Sequence, residues 1–258
     1  QDFGQRITVC LRTQLPYQAM GELQTLSVMG LPLHAGNHYE DWLLLRYQQG
    51  LGTHVVTLNA EMAMQADQNP SLKAVLQQAD LAIPDGAGIV LYFRVKGTRV
   101  KRCPGIELAE ALLQKLQPDQ PVFFLGAAPG TADQAAQNWQ AKKPDLAIAG
   151  IQNGYFSTQE LPALENRLQK LQPAVILVAL GVPRQEFWIA ERRSLCPHAI
   201  WIGVGGSFDI WAGTKERAPA WFCNNHLEWL YRLYQEPWRW RRMLALPQFA
   251  FRALTYSG

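Results

Sequence analysis

The stretch VILVALGVPR, residues 175–184, decides the fold class. Six apolar residues are followed at once by a glycine, a proline and a helical segment at residues 185–191. An uninterrupted apolar run indicates a strand that is covered on both faces, and a short glycine or proline loop into a helix is typical of a parallel sheet. We therefore predict a buried parallel strand at this position.

Further apolar runs have the same character and are predicted as strands, at residues 55–58, 81–83, 121–125, 146–149 and 199–204. Helical segments follow several of them, including residues 87–95 and a helix that Thr131 is expected to cap. This alternation predicts an α/β fold with a Rossmann-like three-layer core and a mostly parallel sheet. Ahead of the core, residues 27–33 are predicted to form a hairpin arm, followed by a helix over residues 39–49.

The composition excludes several classes of protein. Hydrophobic residues make up 48% and charged residues 17% of the 258 residues, which excludes a disordered, coiled-coil or collagen-like chain. The net charge of +3 is too small to indicate nucleic-acid binding. The cysteines lack C-x-x-C spacing, so we expect neither a disulfide framework nor a zinc ribbon. With no secretory signal pattern in residues 1–20 and no apolar run near the ~20 residues of a membrane span, a cytoplasmic protein is predicted.

The C-terminal part differs from the rest of the chain. Residues 229–258 contain five arginines and no lysine, interleaved with tryptophan and tyrosine. We predict a catalytic α/β core over residues 1–213 and a helical appendage over residues 214–258, with residues 118–121 as either a seam between two lobes or an ordinary loop. The appendage composition is typical of an element at a bilayer interface and equally suits a diphosphate, while a packed helix and a nucleic-acid patch stay open.

Candidate site residues are sought beyond the carboxyl ends of the strands, where ligands bind in open parallel sheets. Asp85 is the sharpest of them, because a partly shielded carboxylate at a strand end can act as a general base. The alternative is that Asp85 caps the next helix.

Two glycine-containing loops also follow strands. They lie at residues 125–131 and 202–209, and neither matches a phosphate-binding loop or a dinucleotide fingerprint. Each loop has two interpretations that stay open. The backbone approaches a nucleotide closely, or the loop is structural: a turn without a ligand at residues 125–131 and tight packing of strands at residues 202–209. A metal site is not expected, because His34 and His38 lack a metalloprotease pattern and no Asp-x-Asp pair occurs.

Several segments, in order and at natural spacing, together resemble the WecG/TagA/CpsF glycosyltransferases, also known as glycosyltransferase family 26. The resemblance covers about residues 27–253 and is carried by the segments VTLNAE (56–61), ADLAIPDGAG (79–88), GVPRQE (181–186), GVGGSFD (203–209), RAP (217–219), EWLYRL (228–233) and EPWR (236–239). One departure is Glu107, where the family pattern has aspartate, which leaves acceptor choice open.

The resemblance implies an inverting glycosyltransferase that needs no metal or other cofactor. It implies transfer of an N-acetylhexosamine such as N-acetylmannosamine, or its uronate, from a UDP-sugar to a polyprenyl-diphosphate-linked sugar, in a β-1,4 linkage of a teichoic acid-like cell-surface polymer. The expected location is the cytoplasmic face of the plasma membrane, bound peripherally through the C-terminal segment. A homo-oligomer stays open as a further partner, and no nucleic acid is expected.

The resemblance also implies roles for individual residues. Asp85 corresponds to the proposed base. The expected substrate-binding residues are Thr57, Asn59, Gln185, Arg232, Arg239 and Arg242, the three arginines closing over the diphosphate. The expected nucleotide-binding residues are Gly126, Gly130, Gly181, Gly205, Gly206, Ser207, Asp209 and Glu186. Two alternatives stay open: a non-catalytic, membrane-associated binder of a nucleotide sugar or lipid diphosphate, and an NAD-dependent oxidoreductase, which lacks its fingerprint glycines here.

Overall fold

A computed structural model describes residues 23–225 and 227–256, apart from the side chains of Asn224, Arg232, Arg239, Arg241 and Arg242. The described chain begins with an antiparallel hairpin of β1 (Gln24–Val28) and β2 (Leu31–Ala35). Its turn residues, Met29 and Gly30, both have positive φ, as tight hairpins require. The predicted hairpin arm is confirmed and is longer than expected.

The core is a six-stranded, fully parallel sheet within the described residues. Its strands are β3 (Thr53–Leu58), β4 (Leu81–Pro84), β5 (Val122–Gly126), β6 (Ile148–Gln152), β7 (Val175–Ala179) and β8 (Ile200–Gly203), in the order β4-β3-β8-β7-β5-β6. The predicted α/β fold is confirmed. The sixth strand in this order, β6, begins two residues later than predicted, because Leu146 is buried in the preceding loop and not in the strand.

Helices cover both faces of the sheet. They are α1 (Tyr39–Gln48), α2 (Ala60–Gln68), α3 (Pro70–Gln77), α4 (Ala87–Val95), α5 (Gly105–Lys115), α6 (Thr131–Lys142), α7 (Leu161–Leu171), α8 (Arg184–Arg192) and α9 (Ser207–Trp211). The prediction that Thr131 caps α6 is wrong. Thr131 is the first residue of that helix, and Gly130 occupies the cap position with a φ of 80° and no side-chain hydrogen bond.

Alternate side chains of the strands point into different layers, as the pleat of a strand requires. Val55 packs in the layer that contains α1, α5, α6 and α9. Val56 and Leu58 pack in the opposite layer, with α2 and α3. Helices α7 and α8 cover the β5, β7 and β8 part of that second face. The predicted three-layer arrangement follows from this alternation.

The C-terminal segment is helical. It comprises α10 (Ala220–Asn224), α11 (Glu228–Gln235), a 3₁₀ turn (Pro237–Arg239), α12 (Trp240–Met243) and α13 (Ala245–Thr255). The break at Pro237 is as predicted. Helix α13 buries Phe249 and Ala253 against the layer of α2 and α4, so this end of the chain is part of the packed structure. The division at residue 213 stays a prediction. None of the described helices combines the length and apolar character that crossing a bilayer requires.

Candidate active site

The sheet opens into a crevice where β3 and β8 lie side by side. The chain leaves β3 for α2 in one layer, and it leaves β8 for α9 in the opposite layer. Connections that diverge to opposite faces leave a gap beyond the carboxyl ends of their strands, which is where open α/β sheets bind ligands. This is the edge of the sheet at which the candidate site residues were sought from the sequence.

A first cavity, which we call the sheet-edge cleft, lies directly beyond these strand ends. It has about 900 Å³ of empty space, and the residues that follow β3, β4, β7 and β8 line it. Among the residues predicted for the site, the cleft brings together Thr57, Asn59, Asp85, Gln185, Gly205, Gly206 and Ser207. Its other side is closed by Lys215, Glu228 and Glu236 from the C-terminal part.

A second cavity, which we call the helix cleft, has about 800 Å³ of empty space. Its walls come from the starts of α2 and α4 and from the C-terminal segment, where Trp229, Met243 and Leu246 give it an apolar side. Both clefts share the residues Asn59, Asp85, Arg102 and Glu228. The two cavities therefore meet at Asp85 and Arg102.

Asp85 lies at this junction, directly after β4. Its backbone N–H donates to Leu58 O at 2.8 Å, and its Oδ2 accepts a long hydrogen bond of 3.4 Å from the N–H of Gly105. The residue that caps α4 is Gly86, with a φ of 90°, and α4 has no side-chain cap. The alternative role of Asp85 as a helix cap is therefore wrong, and its partly buried carboxylate faces both clefts.

Thr57 and Asn59 have structural contacts in addition to their places in the clefts. The Thr57 hydroxyl donates to Gly203 O at 3.4 Å and ties the end of β3 to β8. A Cβ atom at Gly105 would lie 2.6 Å from Thr57 Cγ2, so only glycine lets the start of α5 approach this strand. Asn59 caps α2, because its Oδ1 accepts a 2.9 Å hydrogen bond from the N–H of Met62.

Gln185 and Glu186 are neighbours in α8 with different surroundings. Gln185 lines the sheet-edge cleft, and its Oε1 accepts from the N–H of Gly205 at 3.3 Å. Its Nε2 donates to Glu186 Oε1 at 2.9 Å. Glu186 is completely buried, lines neither cleft, and lies 2.9 Å from Nε2 of His54. This burial argues against the direct nucleotide contact that we expected of Glu186.

The remaining predicted nucleotide contacts are dispersed. Gly126 is the last residue of β5 and Gly130 follows that strand, which lies two strands away from β8; both glycines line neither cleft. Gly181, which follows β7, also lines neither cleft, although its neighbour Val182 lines the sheet-edge cleft. Asp209 lies beyond the cleft lining, where its Oδ2 is 3.2 Å from Lys215 Nζ.

Arg102 lies at the site but was not among the residues predicted for it. Its guanidinium lies 2.5 Å from the Glu228 carboxylate and 3.5 Å from Cys223 O, at the junction of the two clefts. Arg102 follows no strand, because it belongs to the loop between α4 and α5, so a search beyond strand ends passes over it. The sequence signal that could have identified Arg102 is the segment RCPGIE (102–107), which departs from the family pattern at Glu107. In the structure, Glu107 forms an ion pair with Arg217.

Each of the three tail arginines lies on a described backbone element next to the site. Arg232 belongs to α11, Arg239 to the 3₁₀ turn and Arg242 to α12. Their side chains lie outside the described part of the structure, so their contact with a diphosphate stays a prediction. The neighbouring Trp229 and Met243 line the helix cleft.

The charge of Asp85 affects the pKa of the adjacent Cys103 thiol. Burial, followed by the charge of Asp85, raises the pKa of the Cys103 thiol to about 12.

Elsewhere among the described residues, His38, Glu40 and Asp41 come close enough to share a cation. The ammonium of Lys115 already pairs with both carboxylates, 3.1 Å from Glu40 and 2.6 Å from Asp41.

Comparison with known proteins adds a second line of information. Residues 26–257 match the family model described as "Glycosyl transferase WecG/TagA/CpsF family". Two similar curated proteins are both named N-acetylglucosaminyldiphosphoundecaprenol N-acetyl-beta-D-mannosaminyltransferase. The one from Bacillus spizizenii is 40% identical over 211 residues, which cover 81% of each chain. The one from Bacillus subtilis is 33% identical over 237 residues, covering 90% of this chain and 92% of the relative.

Proposed function

The chain belongs to the WecG/TagA/CpsF family of glycosyl transferases, and we propose that it transfers N-acetylmannosamine from a UDP-sugar to a polyprenyl-diphosphate-linked N-acetylglucosamine. The class, a hexosyltransferase of cell-wall polysaccharide synthesis, follows from the family and the named relatives. The observation that carries the finer proposal is the position of Asp85, which lies where two separate cavities meet.

The sheet-edge cleft is the proposed donor site. The cleft lies beyond the carboxyl ends of the strands, where open parallel sheets bind their ligands. Thr57, Gln185 and Ser207 supply hydroxyl and amide groups there, and the Gly205–Gly206 backbone allows a close approach. The Thr57 and Ser207 hydroxyls donate to Gly203 O and Val204 O, so their oxygens suit the hydroxyls of a nucleotide sugar as acceptors.

The helix cleft is the proposed acceptor site. The apolar side chains of Trp229, Met243 and Leu246 suit a ligand that carries a lipid chain, while Asp85 and Arg102 offer a base and a cation at the inner end. A lipid-linked sugar lying in this cleft would present its hydroxyl at the junction, next to a donor in the other cleft.

The proposed reaction is a single displacement with inversion. Asp85 removes the proton from the acceptor hydroxyl, and the hydroxyl oxygen forms a bond to the anomeric carbon as the bond from that carbon to UDP breaks. Negative charge then develops on the departing diphosphate. We assign its stabilisation to Arg102, Lys215 and the tail arginines, because preorganised cations can supply what a divalent metal supplies in other transferases.

Membrane attachment is proposed to be peripheral, at the cytoplasmic face. The C-terminal helices expose large apolar side chains, including Tyr234, Trp238 and Phe251. Aromatic side chains of this kind are typical of interfacial segments. An enzyme that acts on a lipid-linked acceptor needs such a surface close to the acceptor site.

The test is an assay with UDP-N-acetylmannosamine and a short-chain polyprenyl-diphosphate N-acetylglucosamine. We expect release of UDP and formation of a lipid-linked disaccharide at a rate that an excess of chelator leaves unchanged. Binding of both substrates without turnover would support the non-catalytic alternative instead. Loss of turnover on chelation, with recovery on addition of a divalent metal, would overturn the metal-independent mechanism.

A further inference from the structure

We propose that Glu186 is a positioning residue that holds Gln185, and through it the backbone N–H of Gly205, at the floor of the sheet-edge cleft. The chain of contacts is continuous. His54 Nε2 lies 2.9 Å from Glu186 Oε2, Gln185 Nε2 donates to Glu186 Oε1 at 2.9 Å, and Gly205 N–H donates to Gln185 Oε1 at 3.3 Å. The consequence for donor binding rests on the proposed function, whereas the effect on Gly205 does not.

The orientation of the Gln185 amide matters because an amide presents different groups on its two sides. The side that faces Gly205 must be the oxygen, since a backbone N–H needs an acceptor. A carboxylate can only accept, so Glu186 forces the NH₂ group of Gln185 toward itself and the oxygen toward Gly205. A neutral or apolar residue at position 186 would not impose this choice.

The strand β8 makes room for this arrangement. A Cβ atom at Gly203 would lie 2.3 Å from Gln185 Nε2 and 2.7 Å from Glu186 Oε1. The two side chains therefore pack directly against the β8 backbone, and they do so at the last residue of the strand, from which Val204 leads into the Gly205–Gly206 loop. The loop that forms the cleft floor thus rests on this pair.

The far end of the chain of contacts is also fixed. The backbone N–H of His54 donates to Asp80 Oδ2 at 2.8 Å, and Asp80 pairs with Arg193 at 2.6 Å. His54 and Glu186 are 2% and 0% exposed, respectively. Since a buried charge is costly, packing alone would be served better by apolar residues of the same size. That comparison favours a role in positioning over one in core filling.

The experiment measures amide exchange at Gly205 by NMR in the ligand-free protein, together with the Kd for UDP by calorimetry. Glu186→Met keeps the volume and removes the acceptor for Gln185. We expect Gly205 exchange to be about tenfold faster, as for the loss of one hydrogen bond, and the Kd for UDP to rise about tenfold. Glu165→Met is the matched control, because Glu165 pairs with Arg192 on the outer side of α8 and touches neither cleft.

A double variant tests the route of the effect. If Glu186 acts through Gln185, Glu186→Met changes nothing further in a Gln185→Leu background, whereas independent residues would give additive effects. If Glu186→Met fails to fold because His54 is left unpaired, His54→Leu combined with Glu186→Met removes both polar partners and restores a foldable core.

The outcomes separate the two proposals. Wild-type Gly205 exchange in the folded variant, or additivity in the double variant, would overturn the positioning role. If the wild-type protein does not bind UDP, but Glu186→Met still accelerates amide exchange at Gly205, the donor proposal is overturned and the positioning role remains. Slower folding or a lower Tm of the Glu186→Met variant, with Gly205 exchange unchanged, would mean that Glu186 has only a structural role.

Discussion

The Arg102 guanidinium lies against the carboxylate of Glu228, with Nη2 and Oε2 2.5 Å apart. Arg102 belongs to the loop between α4 and α5, and Glu228 is the first residue of α11, so the pair joins the core to the C-terminal segment. Both side chains are largely shielded, at 13% and 8% exposure, and both line the two clefts. An anionic diphosphate at the junction would therefore compete with Glu228 for the same cation.

The first prediction concerns the strength of this link. Glu228→Gln leaves the shielded charge of Arg102 without its carboxylate, so we expect the free energy of unfolding to fall by roughly 2–4 kcal/mol. Urea unfolding measures it. The matched control is Glu191→Gln, which removes an equally short pair with Arg192 at a site where the carboxylate is 64% exposed, and it should cost under ~1 kcal/mol. Equal losses in the two variants would mean that the Arg102–Glu228 pair does not anchor the segment.

The second prediction concerns Asp85. Asp85→Asn keeps the shape of the side chain and removes its capacity to accept a proton, so we expect kcat to fall ~10²–10⁴-fold. The Kd for UDP and the urea midpoint should stay close to wild type, because the proposed base acts on the acceptor and not on the nucleotide. Asp145→Asn, at an exposed loop carboxylate, serves as the control. Turnover within a few-fold of wild type in Asp85→Asn would remove Asp85 from the role of base.

The third prediction concerns the tail. Arg239→Ala should lower kcat ~10²-fold, if its guanidinium stabilises the departing diphosphate, and should hardly change the urea midpoint. Arg252→Ala is the matched control, because Arg252 pairs with Asp67 in an exposed contact of α13. Assays with saturating donor separate the effect on kcat from one on KM. A loss confined to membrane-bound acceptor, absent with a short-chain soluble one, would assign Arg239 to membrane attachment instead.

The strands and the edge that carries the site follow from the sequence because they depend on local patterns. Apolar runs such as residues 175–180 are buried on both faces wherever they lie in a parallel sheet, and their carboxyl ends necessarily share one edge. Asp85 was identified for that reason. The strand ends do not, however, determine which loop residue lies over the site, and Arg102 lies there in an ion pair with Glu228 of α11.

The local sequence also does not determine which of two adjacent helix residues faces the site. Gln185 and Glu186 stand next to each other in the segment PRQE, and no local pattern says which of them faces the crevice. The absence of a side chain at Gly203, which is distant in sequence from both residues, lets both side chains pack against β8. By contrast, Phe249 and Phe251 lie two residues apart in α13 and therefore on opposite faces of the helix, and Phe249 is buried whereas Phe251 is exposed.

The last prediction uses the thiol of Cys103, which lies beside the proposed base. Burial, followed by the charge of Asp85, raises its pKa from 9.0 to about 12. The folded state therefore holds the thiol proton more tightly than the unfolded state does. This contribution to stability is complete below pH 9 and is lost as the pH rises toward 12, so Cys103→Ala should show a shallower loss of stability over this interval than wild type. Asp85→Asn should lower the pH at which iodoacetamide begins to modify Cys103, as read by peptide mass spectrometry, because the repelling carboxylate is gone. An unchanged alkylation profile in Asp85→Asn would mean that the Asp85 charge does not reach Cys103, against the geometry on which the proposed base depends.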